Sequence, residues 1–460
     1  MKNLKSLAIH RHAFICATLL GALLVATPFA AVAQSPVLLR TFNNPTPAAH
    51  DDFGYGVATL GSDLLLVGAP NDHSVGAVYL FYTNGTLLTT ITNPNPATGF
   101  FGSTIATLGS DRVVASSTET VYLFTTNGAL VSTISNPNDV YFGGLVAAFG
   151  DDKLLIGAPG NFEPGTGFGA AYLYSTNGTL LMTFRHSDPN FQPDYLGFCM
   201  AAFGNDRVLI SANNNSPGAA QLFSTNGTLL TTITDPAPQP DSYFGMSVAA
   251  VGTDRILVSA YGDDALGGDT GRVYVFNTNG ALLNTITNPA PEYGDSFGAQ
   301  IVVLGKNRLV ISAPSHSTTS FKSGSAYIFD INGALLATIN NPTPADYDFF
   351  GRSLAPLGSQ GVVIGASLDD TGAIDAGAAY LFSVPAPPPP PSVAIQRTTT
   401  NTVVVSWPST ATGFVLQQNT NGLNSVNWSN VTAGIQTVGT NQTLIVNPIG
   451  GSRFYRLVKP

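Results

Sequence analysis

The stretch FGYGVATLGSDLLLVGAPNDHSVGAVYLF, residues 53–81, decides the fold, because the chain repeats its pattern. Each repeat begins at a Phe-Gly pair, and the glycines of successive pairs lie 41 to 54 residues apart. This spacing is typical of β-propellers, in which one repeat forms one blade of four strands. The pairs begin at Phe53, Phe101, Phe142, Phe244, Phe297 and Phe350, with Leu196-Gly197 as a degenerate copy. We therefore predict an all-β, seven-bladed propeller over residues 36–384.

Hydrophobic patterning within the first repeat predicts four strands, at Phe53–Leu60, Leu64–Ala69, Ala77–Phe81 and Thr86–Thr92. The second and third runs are almost continuously apolar, as expected for strands that neighbouring blades cover on both faces. The fourth run alternates with threonine, which indicates a strand at the rim. Asn84-Gly85 predicts a type I′ hairpin turn between the last two strands.

The two ends of the repeat region are complementary. Residues 38–47 match the fourth strand of later repeats, such as residues 87–96, whereas the last repeat stops after its third strand at Phe382. The N-terminal segment is therefore expected to supply the missing outer strand. This pairing would close the ring and remove an exposed sheet edge.

The Phe-Gly pairs, the segments Gly68-Ala69-Pro70 and Gly157-Ala158-Pro159, and the run Val78–Phe81 resemble the FG-GAP repeats of integrin α-subunit propellers. In that family the turn between strands one and two often carries an Asp-rich calcium loop. Here the turn is as short as Gly61-Ser62-Asp63. Calcium takes six to eight oxygen ligands, so we expect no calcium in these hairpins, and the sequence implies no other cofactor.

Residues 1–33 read as a signal peptide of the bacterial Sec pathway. Lys2, Lys5 and Arg11 form a positive region, residues 13–30 are largely apolar, and Ala31-Val32-Ala33 resembles a cleavage site. We therefore expect a secreted or cell-surface protein with no transmembrane segment after signal removal. A retained membrane anchor is the alternative.

A polyproline linker, residues 385–391, precedes a C-terminal segment of short predicted strands, residues 392–460. Trp407 and Tyr455 are its expected core anchors. This segment weakly resembles fibronectin III or Ig-like β-sandwiches. Its role, as a cell-wall or glycan binder or as a spacer, stays open.

Charge and motifs exclude several functions. Without residues 1–33 the chain has 15 Lys and Arg against 27 Asp and Glu, a net charge of −12, which argues against nucleic acid and anionic membranes as partners. The four remaining histidines fall in different repeats without metal-site spacing. Neither a nucleophile elbow nor a phosphate loop is present. We predict no catalytic residue, no metal site and no enzymatic activity.

Acidic and aromatic residues recur in the loops that a propeller presents on one face. The candidate ligand-binding residues are Asp263, Asp264, Asp369, Asp370, Tyr243, Tyr293 and Tyr347. Two alternatives stay open, namely that the aspartates only cap turns and that the aromatic rings only pack between blades. The sequence favours an extracellular adhesion or binding scaffold for protein or polysaccharide. The alternatives are an envelope component without a discrete ligand, or a propeller hydrolase or lyase with paired carboxylates.

Overall fold

A computed structural model describes residues 15–16, 35–136, 141–162, 168–185, 195–213, 218–264, 266–384, 391–399, 402–409, 411, 413–420, 422, 427–447 and 452–458. The chain forms a large unit, residues 33–386, and a small unit of residues 387–460 with residues 1–32. Over the described ranges the protein is all-β, apart from a single 3-10 turn at Asp72–Ser74. The predicted signal peptide and polyproline linker lie outside the described residues, except for Ile15, Cys16 and Pro391.

The large unit consists of four-stranded antiparallel sheets, one for each repeat. We number them sheets 1 to 7. Sheets 3 and 4 are joined by one parallel bridge between Gly169 and Leu196. The strands are, in sheet 1, Gly56–Leu60, Leu64–Ala69, Ala77–Tyr82 and Leu87–Thr92; in sheet 2, Ile105–Leu108, Arg112–Ser117, Thr120–Thr125 and Leu130–Ser135; in sheet 3, Leu145–Phe149, Lys153–Phe162, Phe168–Ser175 and Leu180–Phe184; in sheet 4, Leu196–Phe203, Arg207–Ala212, Ala219–Ser224 and Leu229–Thr234; in sheet 5, Phe244–Val251, Arg255–Ala260, Arg272–Asn277 and Leu282–Thr287; in sheet 6, Ile301–Leu304, Arg308–Ala313, Ser325–Asp330 and Leu335–Asn340; and in sheet 7, Ser353–Leu357, Gly361–Ala366, Ala378–Ser383 and Val37–Asn43.

The N-terminal strand Val37–Asn43 is the outer strand of sheet 7, antiparallel to Ala378–Ser383. Its register places Phe42 opposite Ala379, with the Phe42 ring buried against Phe81 of sheet 1. The pairing predicted for the two ends of the repeat region is therefore present.

Burial follows the patterning of each repeat. The second and third strands are buried along almost their whole length, whereas the fourth strand buries little besides one residue, such as Ile91 in sheet 1. Each pair of successive sheets shares one hydrophobic core cluster, and sheets 7 and 1 share another. The first strand of each sheet also packs against the first strand of the next sheet.

The Phe-Gly pair of the first repeat lies in a turn ahead of its strand, so the strand predicted from Phe53 begins only at Gly56. Gly54 adopts φ +93° and its N–H donates to the Gly68 carbonyl oxygen at 2.9 Å. A Cβ at this position would lie 2.3 Å from the carbonyl oxygen of Ala378 in sheet 7. Phe53 is fully buried beside it. The repeat needs glycine because two sheets approach each other here.

The prediction of a type I′ hairpin at Asn84-Gly85 is wrong. Gly85 has φ +94°, but Asn84 stays outside the left-handed region. The register between the two strands shifts at Phe81, which pairs with Leu87. These features are those of a three-residue hairpin loop, which ends in a left-handed glycine that forms a bulge. This loop accepts the same Asn-Gly dipeptide as a type I′ turn.

The small unit contains two sheets. One has the strands Ala394–Arg397, Val403–Pro408, Asn441–Val446 and Ile435–Val438; the other has Ile15–Cys16, Phe454–Val458, Val415–Asn419 and Ser429–Asn430. Trp407 from the first sheet and Tyr455 from the second are buried in one core, as predicted. Within the described ranges, no helix has the length and apolar character needed to cross a bilayer.

Candidate ligand-binding cleft

Three of the predicted site residues line one cleft of about 450 Å³ in the large unit. The loop before sheet 5 supplies Tyr243, the loop between its second and third strands supplies Asp264, and the loop before sheet 6 supplies Tyr293. The other lining residues are Pro240, Asp241, Gly268 and Asp269. The loops that precede sheets 5 and 6 and the loop between the second and third strands of sheet 5 therefore meet on one face.

Main-chain hydrogen bonds join these loops. The N–H of Gly262 donates to Ser242 at 3.2 Å, and the N–H of Gly294 donates to Gly268 at 3.0 Å. Gly268 has φ +65°, and a Cβ there would lie 2.2 Å from the Tyr293 ring. The missing side chain lets that ring lie against the loop while 83% of its surface stays exposed.

Tyr243 adds a second aromatic ring to the lining of the cleft. The ring of Tyr243 stacks on Tyr261, with centroids 5.0 Å apart and an interplanar angle of 28°. Burial raises the pKa of Tyr261, and the neighbouring Tyr243 and Asp269 raise it further. The cleft thus offers Tyr243, which is stacked on Tyr261, and Tyr293, which is largely exposed.

The charge of the cleft comes from Asp241, Asp264 and Asp269. Burial raises the pKa of Asp269, and the carboxylates of Asp264 and Asp241 add to this shift. Asp264 Oδ1 accepts the N–H of Asp269 at 2.7 Å, so its carboxylate also caps the loop. Carboxylates beside aromatic faces suit cationic side chains and hydroxyl donors such as sugars.

Asp263 and Asp369 have a different environment, since both are buried. Asp263 Oδ2 accepts the Tyr274 hydroxyl at 3.0 Å, and its Oδ1 lies 3.3 Å from Arg272 Nε. Asp369 Oδ2 likewise accepts the Tyr380 hydroxyl at 2.5 Å. These carboxylates hold their loops against the third strand of the sheet and are not exposed to a ligand.

Asp370 and Tyr347 lie on other loops. Asp370 Oδ1 accepts the N–H of Asp375 at 2.9 Å, the same arrangement as Asp264 in sheet 5. Tyr347 belongs to an aromatic cluster with Phe321, whose ring centroid is 5.2 Å away, and with Phe349. The structure therefore brings Tyr243, Asp264 and Tyr293 together, and leaves the other four predicted residues outside the cleft.

Sequence reasoning missed a recurring loop brace. In three repeats an asparagine donates through Nδ2 to the aspartate seven residues later, at 2.6 to 2.7 Å, and the same carboxylate oxygen accepts a main-chain N–H. The pairs are Asn44–Asp51, Asn288–Asp295 and Asn341–Asp348. The constant spacing was the available signal.

Another missed feature is the left-handed residue directly before each Phe-Gly or Leu-Gly pair. Tyr243 has φ +50°, and the corresponding residue of every other repeat also has a positive φ. Bulky side chains are rare in this region, yet aromatic residues occupy it at Phe100, Tyr141, Tyr195, Tyr243 and Phe349. The turn requires the backbone conformation; the aromatic ring is an additional property of the loop face.

The short hairpins between strands one and two form hydrogen bonds through their main-chain carbonyl oxygens. The carbonyl oxygen of Asp63 accepts the N–H of Thr83 at 2.8 Å, and Asn307 and Gln360 do the same in sheets 6 and 7. Three residue types can therefore fill the position. Several of the aspartate carboxylates pair with neighbouring cations instead, as Asp111 does with Arg112 at 3.1 Å.

Comparisons with known proteins agree with this architecture. Residues 46–81, 230–276 and 338–382 match the family model of the FG-GAP repeat. The structure is similar to the WD40 domain of Neurospora crassa Pan2, with a TM-score of 0.50 and 11% sequence identity over 78% of this chain and 98% of that one. At this identity the likeness concerns the propeller fold alone. No curated protein matches the chain in sequence.

Proposed function

We propose that this protein is an exported binding scaffold, a closed seven-bladed propeller whose loop face binds an extracellular protein or glycan. The cleft between Tyr243, Asp264 and Tyr293 carries this proposal, because it joins a half-buried and an exposed aromatic ring to carboxylates on loops that main-chain hydrogen bonds connect. FG-GAP repeats in three places support a role in protein interaction.

Contacts between sheets 7 and 1 support the closed ring. The two sheets share a buried core that includes Phe42, Phe53 and Leu381. Thr59 Oγ1 donates to the Pro356 carbonyl oxygen at 2.6 Å across the same junction. The N-terminal strand also covers the edge of Ala378–Ser383, which would otherwise be exposed.

Residues 1–33 would direct export through the Sec pathway of a bacterium, and the small unit would act as a fibronectin III-like or Ig-like module. The shared core around Val405, Trp407 and Leu416 supports a sandwich. We further propose that the short hairpins bind no calcium, so added calcium should leave the melting temperature unchanged.

A binding screen with the full chain tests the proposed function. The protein is applied to arrays of cell-surface glycans and extracellular matrix proteins, and the Kd of each hit is measured. Tyr293→Ala should weaken binding at least tenfold, because truncating an aromatic anchor costs more than about 1.4 kcal/mol. Tyr141→Ala is the matched control, since Tyr141 is 66% exposed on an equivalent loop and lies outside this cleft.

Two results would contradict the proposal. If no ligand binds, the protein fits an envelope component without a discrete ligand. If a ligand binds but Tyr293→Ala and Tyr141→Ala leave its Kd equally unchanged, then the cleft is not the binding site.

A further inference from the structure

Glu292, Asp295 and His316 form a cluster at the loops of sheet 6. One potential ligand atom from each residue lies within 4.8 Å of the other two. In the part of the chain that the structure describes, no other three His, Cys, Asp or Glu residues meet in this way. Glu292 is exposed, whereas Asp295 and His316 are buried. Sequence spacing does not reveal this cluster, because His316 lies 21 residues after Asp295 and on a different loop.

His316 departs from the repeat. The corresponding position after the second strand is an aspartate in sheets 1, 5 and 7, namely Asp72, Asp263 and Asp369, and each accepts a hydrogen bond from the tyrosine of the third strand. In sheet 6 the imidazole instead places Nδ1 3.0 Å from Asp295 Oδ1. The substitution replaces a loop brace with a nitrogen ligand beside a carboxylate.

The tyrosine of the same repeat is left without its usual acceptor. Tyr327 is 2% exposed, and its hydroxyl has no hydrogen-bond partner. The nearby Ser325 donates its own hydroxyl to Asn340 Oδ1. The Tyr327 ring contacts His316 edge to face, with centroids 6.3 Å apart. This contact places the Tyr327 ring beside the cluster.

Asp295 is held in a defined orientation. Its Oδ2 accepts Asn288 Nδ2 and the N–H of Glu292, both at 2.7 Å, which leaves Oδ1 directed at His316. Outer hydrogen bonds of this kind orient the carboxylate ligands of metal sites. One oxygen is therefore engaged by the protein, and the other is available to a cation.

We propose that Glu292, Asp295 and His316 bind a divalent transition-metal ion, with zinc as the probe of choice. One imidazole nitrogen and two carboxylates suit Zn²⁺, which accepts N and O ligands at 2.0 to 2.2 Å, in a tetrahedral site with ligand atoms about 3.3 Å apart. The Nδ1 and Oδ1 atoms are already 3.0 Å apart. The Glu292 carboxylate lies within 4.8 Å of these two atoms and is exposed, so it can close onto the ion.

Binding requires a neutral imidazole that coordinates through Nδ1 and keeps its proton on Nε2. From the imidazolium, whose Nδ1–H donates to Asp295 Oδ1, the cation displaces the Nδ1 proton to solvent, and Nε2 keeps its own proton. The site does not depend on the proposed ligand cleft, although Tyr293 lies on the same loop, between Glu292 and Asp295.

Zinc titration of the untagged full chain tests the proposal, by calorimetry and by elemental analysis after equilibrium dialysis. We expect one zinc per chain and a rise in melting temperature with zinc. Glu292→Gln, a change at an exposed side chain, and His316→Gln, which retains a donor for Asp295, should each weaken the Kd at least tenfold.

His73→Gln is the matched control. His73 Nδ1 lies 2.5 Å from Asp72 Oδ1, but this pair belongs to no such three-residue group in the described chain. The control should bind zinc like the wild type. The proposal is overturned if the folded wild type retains no zinc at equimolar metal, or if Glu292→Gln and His316→Gln bind zinc as tightly as His73→Gln.

Discussion

The Ser353 hydroxyl donates a buried hydrogen bond of 2.7 Å to the carbonyl oxygen of Gly54, a residue 299 positions earlier in the chain. Sheets 7 and 1 meet at this bond. Gly54 also packs its Cα against the main chain of Ala378 in sheet 7. The Phe-Gly turn of the first repeat therefore links the two ends of the large unit.

Gly54→Ala should destabilise the protein much more than Gly61→Ala. Both glycines have positive φ, so both substitutions carry a left-handed strain of about 1–2 kcal/mol. A Cβ at Gly54 also meets the Ala378 carbonyl oxygen, whereas a Cβ at Gly61 has nothing within 4 Å. We expect Gly54→Ala to lose about 1–3 kcal/mol more. The free energies of unfolding are measured in urea. If the two variants have equal values, then the main chain around Gly54 accommodates a Cβ without loss of stability.

Phe42→Ala should weaken the junction from the N-terminal strand. The Phe42 ring is 2% exposed in the core between sheets 7 and 1, so its truncation should cost about 3–5 kcal/mol. Leu39→Ala on the same strand is the control, because Leu39 is 56% exposed and its truncation should change the free energy of unfolding by less than about 0.5 kcal/mol.

Deleting residues 38–44 should lower the melting temperature sharply. An unchanged melting temperature would contradict ring closure.

Tyr380→Phe and Tyr327→Phe form a matched pair. Tyr380 donates to the buried Asp369, and loss of a hydrogen bond to a charged group costs about 1.5–3 kcal/mol. The Tyr327 hydroxyl has no partner, so Tyr327→Phe should change stability by less than about 0.5 kcal/mol when a chelator is present. Urea unfolding of the two variants measures the difference. If Tyr327→Phe lowers the free energy of unfolding as much as Tyr380→Phe does, then the Tyr327 hydroxyl has a hydrogen-bond partner.

Asp348 should make the protein less stable as the pH rises. Burial raises its pKa from 3.8 to about 7, against hydrogen bonds from Ala345 and Asn341, and the charge of Asp369 adds to the increase. Between these two pKa values the folded state binds more protons than the unfolded state. The contribution of Asp348 to the free energy of unfolding is therefore greatest below about pH 4 and decreases until about pH 7. The slope reaches about 1.4 kcal/mol per pH unit.

Asp348→Asn should remove this slope. The amide oxygen can still accept from Asn341 and Ala345, and the new NH₂ group replaces an Oδ1 that has no partner. The free energy of unfolding, measured from pH 4 to pH 8, should therefore fall less steeply in the variant than in the wild type. Parallel profiles would show that Asp348 is ionised throughout this range.

The sequence alone determined the all-β fold, the repeat boundaries and the pairing of the two ends of the large unit. These properties follow from local patterning, since buried strands need continuous apolar runs and the Phe-Gly turn needs its glycine. The same reasoning placed acids and aromatic rings on the loops. It misjudged the hairpin at Asn84, because two turn types accept the same residues.

Only the tertiary structure decided which loop residues meet. Asp263 and Asp264 are neighbours in sequence, yet one is buried under Tyr274 and the other lines a cleft. His316 reaches Asp295 because two loops that are separate in sequence pack together above sheet 6. Burial and side-chain partners depend on contacts between distant segments. For this reason local patterning predicted the scaffold, whereas the cleft and the histidine–carboxylate cluster appeared only once the sheets were assembled.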